Sequence, residues 1–122
     1  MLYTNLIHLE SAADLAGIIR ENANVFVVCG RMDPKSVPVY RIAEELEKAY
    51  GTVRFCDMEF DNPESLVIRN LNQVVGLKEI PYVACYTNGE LVETSSGIQT
   101  MDQVTEMMHA AFKITANIKD KS

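Results

Sequence analysis

The sequence has few of the residues that build metal centres or disulfide frameworks. Its 122 residues include three cysteines, Cys29, Cys56 and Cys85, and two histidines, His8 and His109. The cysteines are odd in number, widely spaced and without a Cys-X-X-Cys pair, and the histidines lie near opposite ends of the chain. We therefore expect no zinc site, no disulfide scaffold and no bound cofactor.

Positive charge and long apolar runs are also scarce. Eleven basic residues stand against 17 acidic ones, which gives a net charge of -6 and a pI near 4.8. This balance disfavours a surface that follows nucleic-acid phosphates and a polybasic membrane anchor. No apolar run approaches the ~18 residues of a membrane span, and the first residues do not resemble a signal peptide. The sequence predicts a cytoplasmic protein that binds neither nucleic acid nor a membrane.

What the sequence does contain is the pattern of one globular domain. Hydrophobic residues make up 48% of the chain and charged residues 23%, a composition that favours a folded core over disorder. There is no internal repeat and no low-complexity segment. We predict a single domain over residues 1–117 and a disordered tail over residues 118–122.

The first 30 residues carry signals for a strand, a helix and a second strand. Residues 6–9 form a short apolar run, and Ser11 with Asp14 three positions later resembles a capping box that opens a helix. Residues 25–29 are continuously apolar, as in a strand that is covered on both faces. This second strand is predicted to lie in the centre of a sheet.

A long helix is predicted from Asp33 to Gly51. Asp33 is a favourable N-cap, and Pro34 suits the first helical position because its missing N–H has no partner there. Pro38 then lies one turn inside and is expected to kink the helix. Apolar residues recur at spacings of three and four on one face: Val39, Ile42, Ala43, Leu46 and Tyr50.

The rest of the chain predicts a strand, a helix, a β-hairpin and a final helix. Pro63 opens the third helix, whose inner face should carry Leu66, Val67 and Leu71. Asn88-Gly89 is the strongest hairpin-turn signal in the chain. The predicted elements are strands at residues 53–60, 80–86 and 91–94, a helix beginning at Pro63, and a helix over 101–112.

Residues 80–91 resemble the thioredoxin family. They run from Ile80-Pro81 through an apolar strand to an Asn-Gly-Glu turn, and Gly97 follows before the last helix. When the order of the predicted strands and helices is included, the resemblance covers about residues 5–113. It implies an α/β thioredoxin fold, a central mixed β-sheet of about five strands flanked by four helices. It also implies that Pro81 is cis and that Ile80 offers its backbone N–H and C=O to an extended peptide.

The active-site segment departs from that family. An ungapped alignment places the Trp-Cys-Gly-Pro-Cys motif on Met32, Asp33, Pro34, Lys35 and Ser36. The family's buried aspartate then falls on Val27, and its lysine on the next strand falls on Asp57. Dithiol exchange requires an attacking thiolate and a resolving thiol, and neither is present at the motif positions. This alignment predicts a redox-inactive adaptor module.

A second alignment keeps one nucleophile. It sets Cys29 on the first motif cysteine, with Met32 in place of the resolving one, and implies a monothiol thiol–disulfide oxidoreductase in cell redox homeostasis. Against it, the Asp33-Pro34 helix start lies too far along the chain to stabilise the thiolate. The Asp33 carboxylate would also raise the pKa of the thiol. Both interpretations remain open from the sequence.

The predicted contact surface combines the motif segment with the proline edge. Asp33 is explained by N-capping, and Ser36, with no histidine nearby to act as a base, by a hydroxyl on the helix face. Cys56 and Cys85 lie in apolar strands and are expected in the core. A protein or extended peptide is expected to contact a small apolar patch made of Met32, Ile80, Pro81 and Gly97.

Overall fold

A computed structural model describes residues 2–113, and its strands and helices follow the predicted order. The strands are β1 (Ile7–Leu9), β2 (Asn24–Gly30), β3 (Arg54–Glu59), β4 (Tyr82–Thr87) and β5 (Glu90–Ser96). The helices are α1 (Ala12–Glu21), α2 (Val37–Ala49), α3 (Leu66–Arg69), which follows a 3-10 turn at Pro63–Ser65, and α4 (Met101–Phe112). The predicted tail, residues 118–122, lies outside the described residues, as does the end of the predicted domain. Among the helices of residues 2–113, none has the length and apolarity needed to cross a bilayer.

The five strands form one mixed sheet in the order β1-β3-β2-β4-β5. β1, β3 and β2 are parallel, whereas β4 is antiparallel to β2 and β5 is antiparallel to β4. Cys29 near the end of β2 is paired with Tyr82 at the start of β4. The ends of β1, β2 and β3 therefore meet the start of β4 at one border of the sheet, which we call the carboxyl edge.

The continuous apolar run of β2 is explained by a core on each side of the sheet. Phe26 and Val28 face the core formed with α2 and α4, and the Phe26 ring lies 5.1 Å from that of Phe55. Val27 and Cys29 face the second core, which contains side chains of α1 and α3. Burying a large apolar side chain contributes about 1.5–3 kcal/mol relative to exposure, so these cores fix the position of β2 and of the loop that follows it.

The strand register locates the two positions that the family alignment matches to a buried aspartate and a lysine. Val27 is paired with Cys56, whereas Asp57 is paired with Val28. Successive residues of a strand point to opposite faces, so Val27 and Asp57 lie on different sides of the sheet. With a valine and an aspartate at these positions, the family's acid and base have no counterpart there.

Helix α2 begins at Val37 rather than at Asp33. Residues 33–36 form a turn in which the Asp33 carboxylate accepts a hydrogen bond of 2.7 Å from the Ser36 N–H. Asp33 thus caps the turn that precedes the helix. Pro38 lies in the first turn of α2, where backbone N–H groups have no helical partner, so the predicted reason for a kink is absent.

Helix α3 is shorter than predicted, and its inner face differs. Leu66, expected inside, is 45% exposed, whereas Ile68 is fully buried. Val67 and Leu71 are partly buried against the second core, as expected. The 3-10 turn at Pro63–Ser65 shifts the phase of the following residues, because such a turn holds three residues instead of 3.6.

Candidate functional site

The segment that carries the motif positions is a loop at the carboxyl edge, between β2 and α2. We call residues 31–36 the Met32 loop. Ser36 is fully buried, and its hydroxyl oxygen accepts a hydrogen bond of 3.3 Å from the Arg31 N–H. This bond and the Asp33 cap tie both ends of the loop together. Ser36 is therefore an interior residue that closes the loop, not the hydroxyl on a helix face that was expected.

The exposed part of the Met32 loop contacts the chain on two sides. Met32 is 37% exposed, and its sulfur accepts a hydrogen bond of 3.3 Å from the Tyr3 N–H. Pro34 is exposed, and the Lys35 ammonium forms an ion pair of 2.7 Å with Glu79. Both charged side chains are about half exposed, so the pair contributes little stability. It nevertheless places the Met32 loop beside the segment that leads to Ile80.

Gly30 is the point at which the loop, α2 and Pro81 meet. A Cβ atom at this position would lie 2.7 Å from the Ser36 hydroxyl oxygen and 2.9 Å from both the Pro81 Cβ and the Tyr40 phenol oxygen. Any side chain larger than hydrogen would displace these groups. Sequence analysis did not identify this role of Gly30. A glycine directly after an apolar strand is a general signal of close backbone approach.

The Ile80–Pro81 peptide bond is cis, and Gly97 lies beside it. The Gly97 N–H donates a hydrogen bond of 3.0 Å to the Pro81 carbonyl, and Gly97 has a φ of 81°, which favours glycine. Pro81 and Gly97 are both buried, so they shape the backbone and add little exposed surface to the predicted patch.

Ile80 supplies the remaining surface of the patch. Its side chain is half-buried against the second core. Within residues 2–113 its backbone N–H and C=O form no hydrogen bond. The exposed apolar surface is therefore made by Met32 and part of Ile80, next to a backbone segment with unused hydrogen-bonding groups.

All three cysteines are free and fully buried. Burial raises the pKa of the Cys29 thiol to about 12, although the Arg69 charge and a hydrogen bond from Ser65 lower it. The sequence analysis expected the Asp33 carboxylate to raise the pKa of the Cys29 thiol. Burial is instead the main cause, and Asp61 makes a smaller contribution. Burial also raises the pKa of Cys56 and of Cys85, which lie in the core as predicted.

Two further polar groups near the site were missed by sequence analysis. The Asp57 carboxylate is 1% exposed, accepts a hydrogen bond from the Thr4 hydroxyl and lies 2.7 Å from the His8 Nδ1 atom. Burial raises the pKa of Asp57, and the bonds with Thr4 and His8 partly offset this. The buried Tyr40 hydroxyl has no hydrogen-bond partner among the residues that the structure describes.

Comparison with known proteins identifies the fold. No protein-family model matches the sequence, and no curated protein matches it. Among solved structures, the chain is similar to a thioredoxin of Plasmodium falciparum, with a TM-score of 0.69, 20% identity, and coverage of 86% of this chain and 98% of that one. For a mutant thioredoxin from Halobacterium salinarum the TM-score is 0.73 at 14% identity, with coverage of 94% and 99%. For mitochondrial thioredoxin 3 from Saccharomyces cerevisiae the values are 0.70 and 17%, with coverage of 86% and 94%. The chain thus has the thioredoxin fold.

Proposed function

We propose that this thioredoxin-like chain is a redox-inactive module that binds a protein or an extended peptide at the Met32 loop and the Ile80–Pro81 edge. The observation that carries the proposal is the chemistry of the two motif positions. In the family alignment these positions hold Asp33 and Ser36, and both residues are engaged in hydrogen bonds that close the loop. Dithiol exchange requires two thiols that can form a bond with each other, which a carboxylate and a hydroxyl cannot do.

The unused backbone groups of Ile80 support peptide binding. An extended peptide beside this segment can form main-chain hydrogen bonds with the Ile80 N–H and C=O, as in the addition of a strand to a sheet edge. The exposed surface of Met32 adds an apolar contact next to it. Neither group depends on a cysteine, so the edge can recognise a peptide without redox chemistry.

A cytoplasmic location belongs to the same proposal. Cys29, Cys56 and Cys85 are all free thiols. Free thiols persist in reducing compartments, whereas secreted domains of this size commonly form disulfides. The cysteine chemistry is therefore compatible with the cytoplasm.

The second candidate function is monothiol exchange through Cys29. It is favoured by the position of Cys29 near the end of β2, with the Arg69 charge and the Ser65 hydrogen bond lowering the thiol pKa. In that mechanism the Cys29 thiolate attacks a disulfide of glutathione or a protein, forms a mixed disulfide and releases one thiolate. Burial opposes this mechanism, because it makes the thiolate scarce and hard to reach.

An insulin-reduction assay tests the absence of dithiol chemistry. With dithiothreitol or a thioredoxin reductase as electron source, we expect no acceleration over the reaction without the protein. An ordinary thioredoxin serves as the positive control. A turnover comparable with that control would contradict the proposal.

Peptide selection tests the binding surface. Peptides would be selected from a random library on the wild-type protein, and their affinities measured for Met32→Asp, Ile80→Asp and the control Val92→Asp. Val92 is also an exposed apolar residue, but it lies on β5 near the hairpin turn, away from the carboxyl edge. We expect at least tenfold weaker binding for the first two variants and unchanged binding for the third.

The stability of Ile80→Asp must be measured alongside its affinity. Ile80 packs against the second core, so a charge there lowers the stability of the fold as well as the affinity for the peptide. Met32 is more exposed than Ile80. Met32→Asp therefore separates the loss of peptide affinity from the loss of stability. Equal affinities for wild type, Met32→Asp and Ile80→Asp would show that the peptide binds elsewhere.

A further inference from the structure

Two arginines contact the ring of Phe60 at the carboxyl edge. The guanidinium carbon of Arg31, the first residue of the Met32 loop, lies 4.7 Å from the centroid of the Phe60 ring. The guanidinium carbon of Arg69 in α3 lies 5.1 Å from the same centroid. We call Arg31 and Arg69 the arginine pair. The contact of a cation with an aromatic ring stabilises both side chains, but the ring supplies no oxygen acceptor for their N–H groups.

Arg69 is held in place by a buried serine. The Arg69 Nε–H donates a hydrogen bond of 2.6 Å to the Ser65 hydroxyl oxygen. Ser65 is fully buried, and its hydroxyl donates to the Phe60 carbonyl at 2.7 Å. The serine and the ring together restrict the rotation of the guanidinium. Because the guanidinium is already oriented, less conformational entropy is lost when it binds a ligand.

Arg69 has hydrogen-bond donors without a protein partner. A guanidinium carries five N–H groups, and within residues 2–113 only the Nε–H of Arg69 forms a hydrogen bond. In the same part of the chain no carboxylate lies within ion-pair distance of Arg69, although the side chain is half-buried. A charge that is partly removed from water is stabilised by pairing with an opposite charge. The four N–H groups on Nη1 and Nη2 can therefore bind an external anion.

The charges around the arginine pair favour an anion with a single negative charge. Arg31 donates to both carboxylate oxygens of Asp61 at 2.9 Å through Nε and Nη2, so its charge is offset. The bonds from Arg31, and to a smaller extent the charge of Arg69, lower the pKa of Asp61, which keeps it ionised. Two positive charges and one negative charge leave one positive charge at the site. A carboxylate matches it, whereas a phosphate monoester of about −1.5 to −2 would leave excess negative charge beside Asp61.

We propose that Arg69 binds the side-chain carboxylate of an aspartate or glutamate in the partner peptide, and this rests on the proposed function in that the carboxylate belongs to that peptide. Nη1 and Nη2 can each donate a hydrogen bond to one of the two carboxylate oxygens. This bidentate geometry makes arginine better suited than lysine to planar anions. Arg69 thus gives the peptide-binding surface a preference for an acidic residue.

The arginine pair lies next to the edge at which the peptide is proposed to bind. The Phe60 ring lies 6.0 Å from the ring of Tyr82 at the start of β4. Both rings, together with Ile80, pack against the second core, so they lie on one side of the sheet. Arg31 belongs to the Met32 loop itself. A peptide that contacts this loop and Ile80 therefore passes close to Phe60, where one of its acidic side chains can reach Arg69.

A titration with small probes tests the site without the peptide. N-acetyl-glutamate N-methylamide would be added to the ¹⁵N-labelled protein and followed by NMR, with N-acetyl-glutamine N-methylamide as the uncharged probe of nearly the same shape. We expect saturable shifts of the Arg69 Nε–H signal and of the backbone amides of Phe60 and Asp61, and at least fivefold weaker binding of the glutamine probe. Equal binding of the two probes, or shifts confined to other regions, would overturn the proposal. At least tenfold tighter binding of N-acetyl-phosphoserine N-methylamide would overturn the carboxylate assignment.

Removal of the charge of Arg69 tests the assignment to this residue. Arg69→Gln should weaken binding of the glutamate probe at least threefold, while the glutamine amide can still donate to Ser65. Arg69→Lys keeps the charge but cannot form the bidentate pair, so its affinity for the probe should lie between those of wild type and Arg69→Gln. The ¹⁵N spectrum of each variant shows whether the fold is intact.

Arg54→Gln is the matched control. Arg54 is an exposed arginine at the start of β3, at the end of this strand that is opposite the carboxyl edge. Its described hydrogen bond is made with Asn22 at 3.4 Å and not with a carboxylate. We expect Arg54→Gln to leave binding of the glutamate probe unchanged. Equal effects of Arg69→Gln and Arg54→Gln would contradict a local site.

The probe and the peptide results fail independently. If the glutamate probe binds at Arg69 while selected peptides are insensitive to Met32→Asp and Ile80→Asp, the proposed function is wrong and Arg69 remains a carboxylate site. If the selected peptides depend on Met32 and Ile80 but bind wild type and Arg69→Gln equally, the proposal for Arg69 is wrong and the proposed function stands.

Discussion

At the scale of single residues, burial decides the chemistry of this protein more than nearby charges do. Cys29 is the clearest case, because its thiol has a positive neighbour, Arg69, and still has a raised pKa. The sequence predicted the direction of the shift but attributed it to the Asp33 carboxylate, whereas burial is the main cause. It could not predict Arg69, Ser65 and Asp61 as neighbours, because the fold brings them to Cys29 from the segment after β3.

Cys29 should react slowly with iodoacetamide. With a pKa of about 12, roughly one thiol in ten thousand is ionised at pH 8, against roughly one in four for a free cysteine. We expect alkylation of the folded protein to be at least a thousandfold slower than in urea, measured by mass spectrometry of the Cys29 peptide. An alkylation midpoint below ~8.5 in the folded protein would instead favour monothiol exchange.

The buried hydroxyl of Tyr40, which has no hydrogen-bond partner within residues 2–113, is a second effect of burial at the residue scale. A buried polar group without a partner costs about 1–3 kcal/mol, so Tyr40→Phe should leave stability unchanged or raise it. Tyr50→Phe is the matched control, since the Tyr50 hydroxyl lies 2.8 Å from His109 Nε2 and its loss should cost about 0.5–1.5 kcal/mol. Urea unfolding measures both. A clear loss of stability in Tyr40→Phe would show that its hydroxyl has a partner in solution.

At the scale of elements, local signals predicted the helices and strands but not the joints between them. Helix α4 spans the predicted residues 101–112, with a capping box formed by Thr100 and Gln103. The start of α2 was misplaced because Asp33-Pro34 suits the turn before a helix as well as the helix itself. The contacts at Gly30 join a strand, a loop and a distant proline, and no local pattern contains that information.

Gly30→Ala should disrupt this joint. The added methyl group would lie under 3.0 Å from atoms of Ser36, Tyr40 and Pro81, and overpacking of this kind costs about 1–3 kcal/mol. Gly76→Ala is the control, because no atom lies within 4 Å of its added Cβ, and it should be neutral or stabilising by up to about 1 kcal/mol. Urea unfolding of both variants provides the comparison. Equal stabilities would mean that the Met32 loop adjusts freely around residue 30.

At the scale of the whole molecule, the sheet order creates sites that the sequence does not display. The thioredoxin fold could be predicted from the order of elements and from residues 80–91. The His8–Asp57 pair could not, because its members are 49 positions apart and meet only when β1 pairs with β3. The same pairing brings Glu10 and the end of β3 to one cavity of about 340 Å³.

The Asp57 carboxylate should make the stability of the whole fold depend on pH. Burial raises its pKa in the folded state above the ordinary value near 3.9, so the folded protein holds this proton more tightly than the unfolded chain does. The resulting stabilisation is complete below about pH 4 and is lost as the pH rises through the folded-state value.

Asp57→Asn cannot ionise there and lacks this dependence. We therefore expect the free energy of unfolding of wild type to fall relative to that of Asp57→Asn between about pH 4 and pH 7, measured by urea unfolding. Repeating the comparison in a His8→Gln background removes the imidazole, while the glutamine amide can still donate to the carboxylate. The difference in the free energy of unfolding between wild type and Asp57→Asn could instead stay constant, or move in favour of wild type as the pH rises. Either result would show that the bonds from Thr4 and His8 outweigh the effect of burial on the pKa of Asp57.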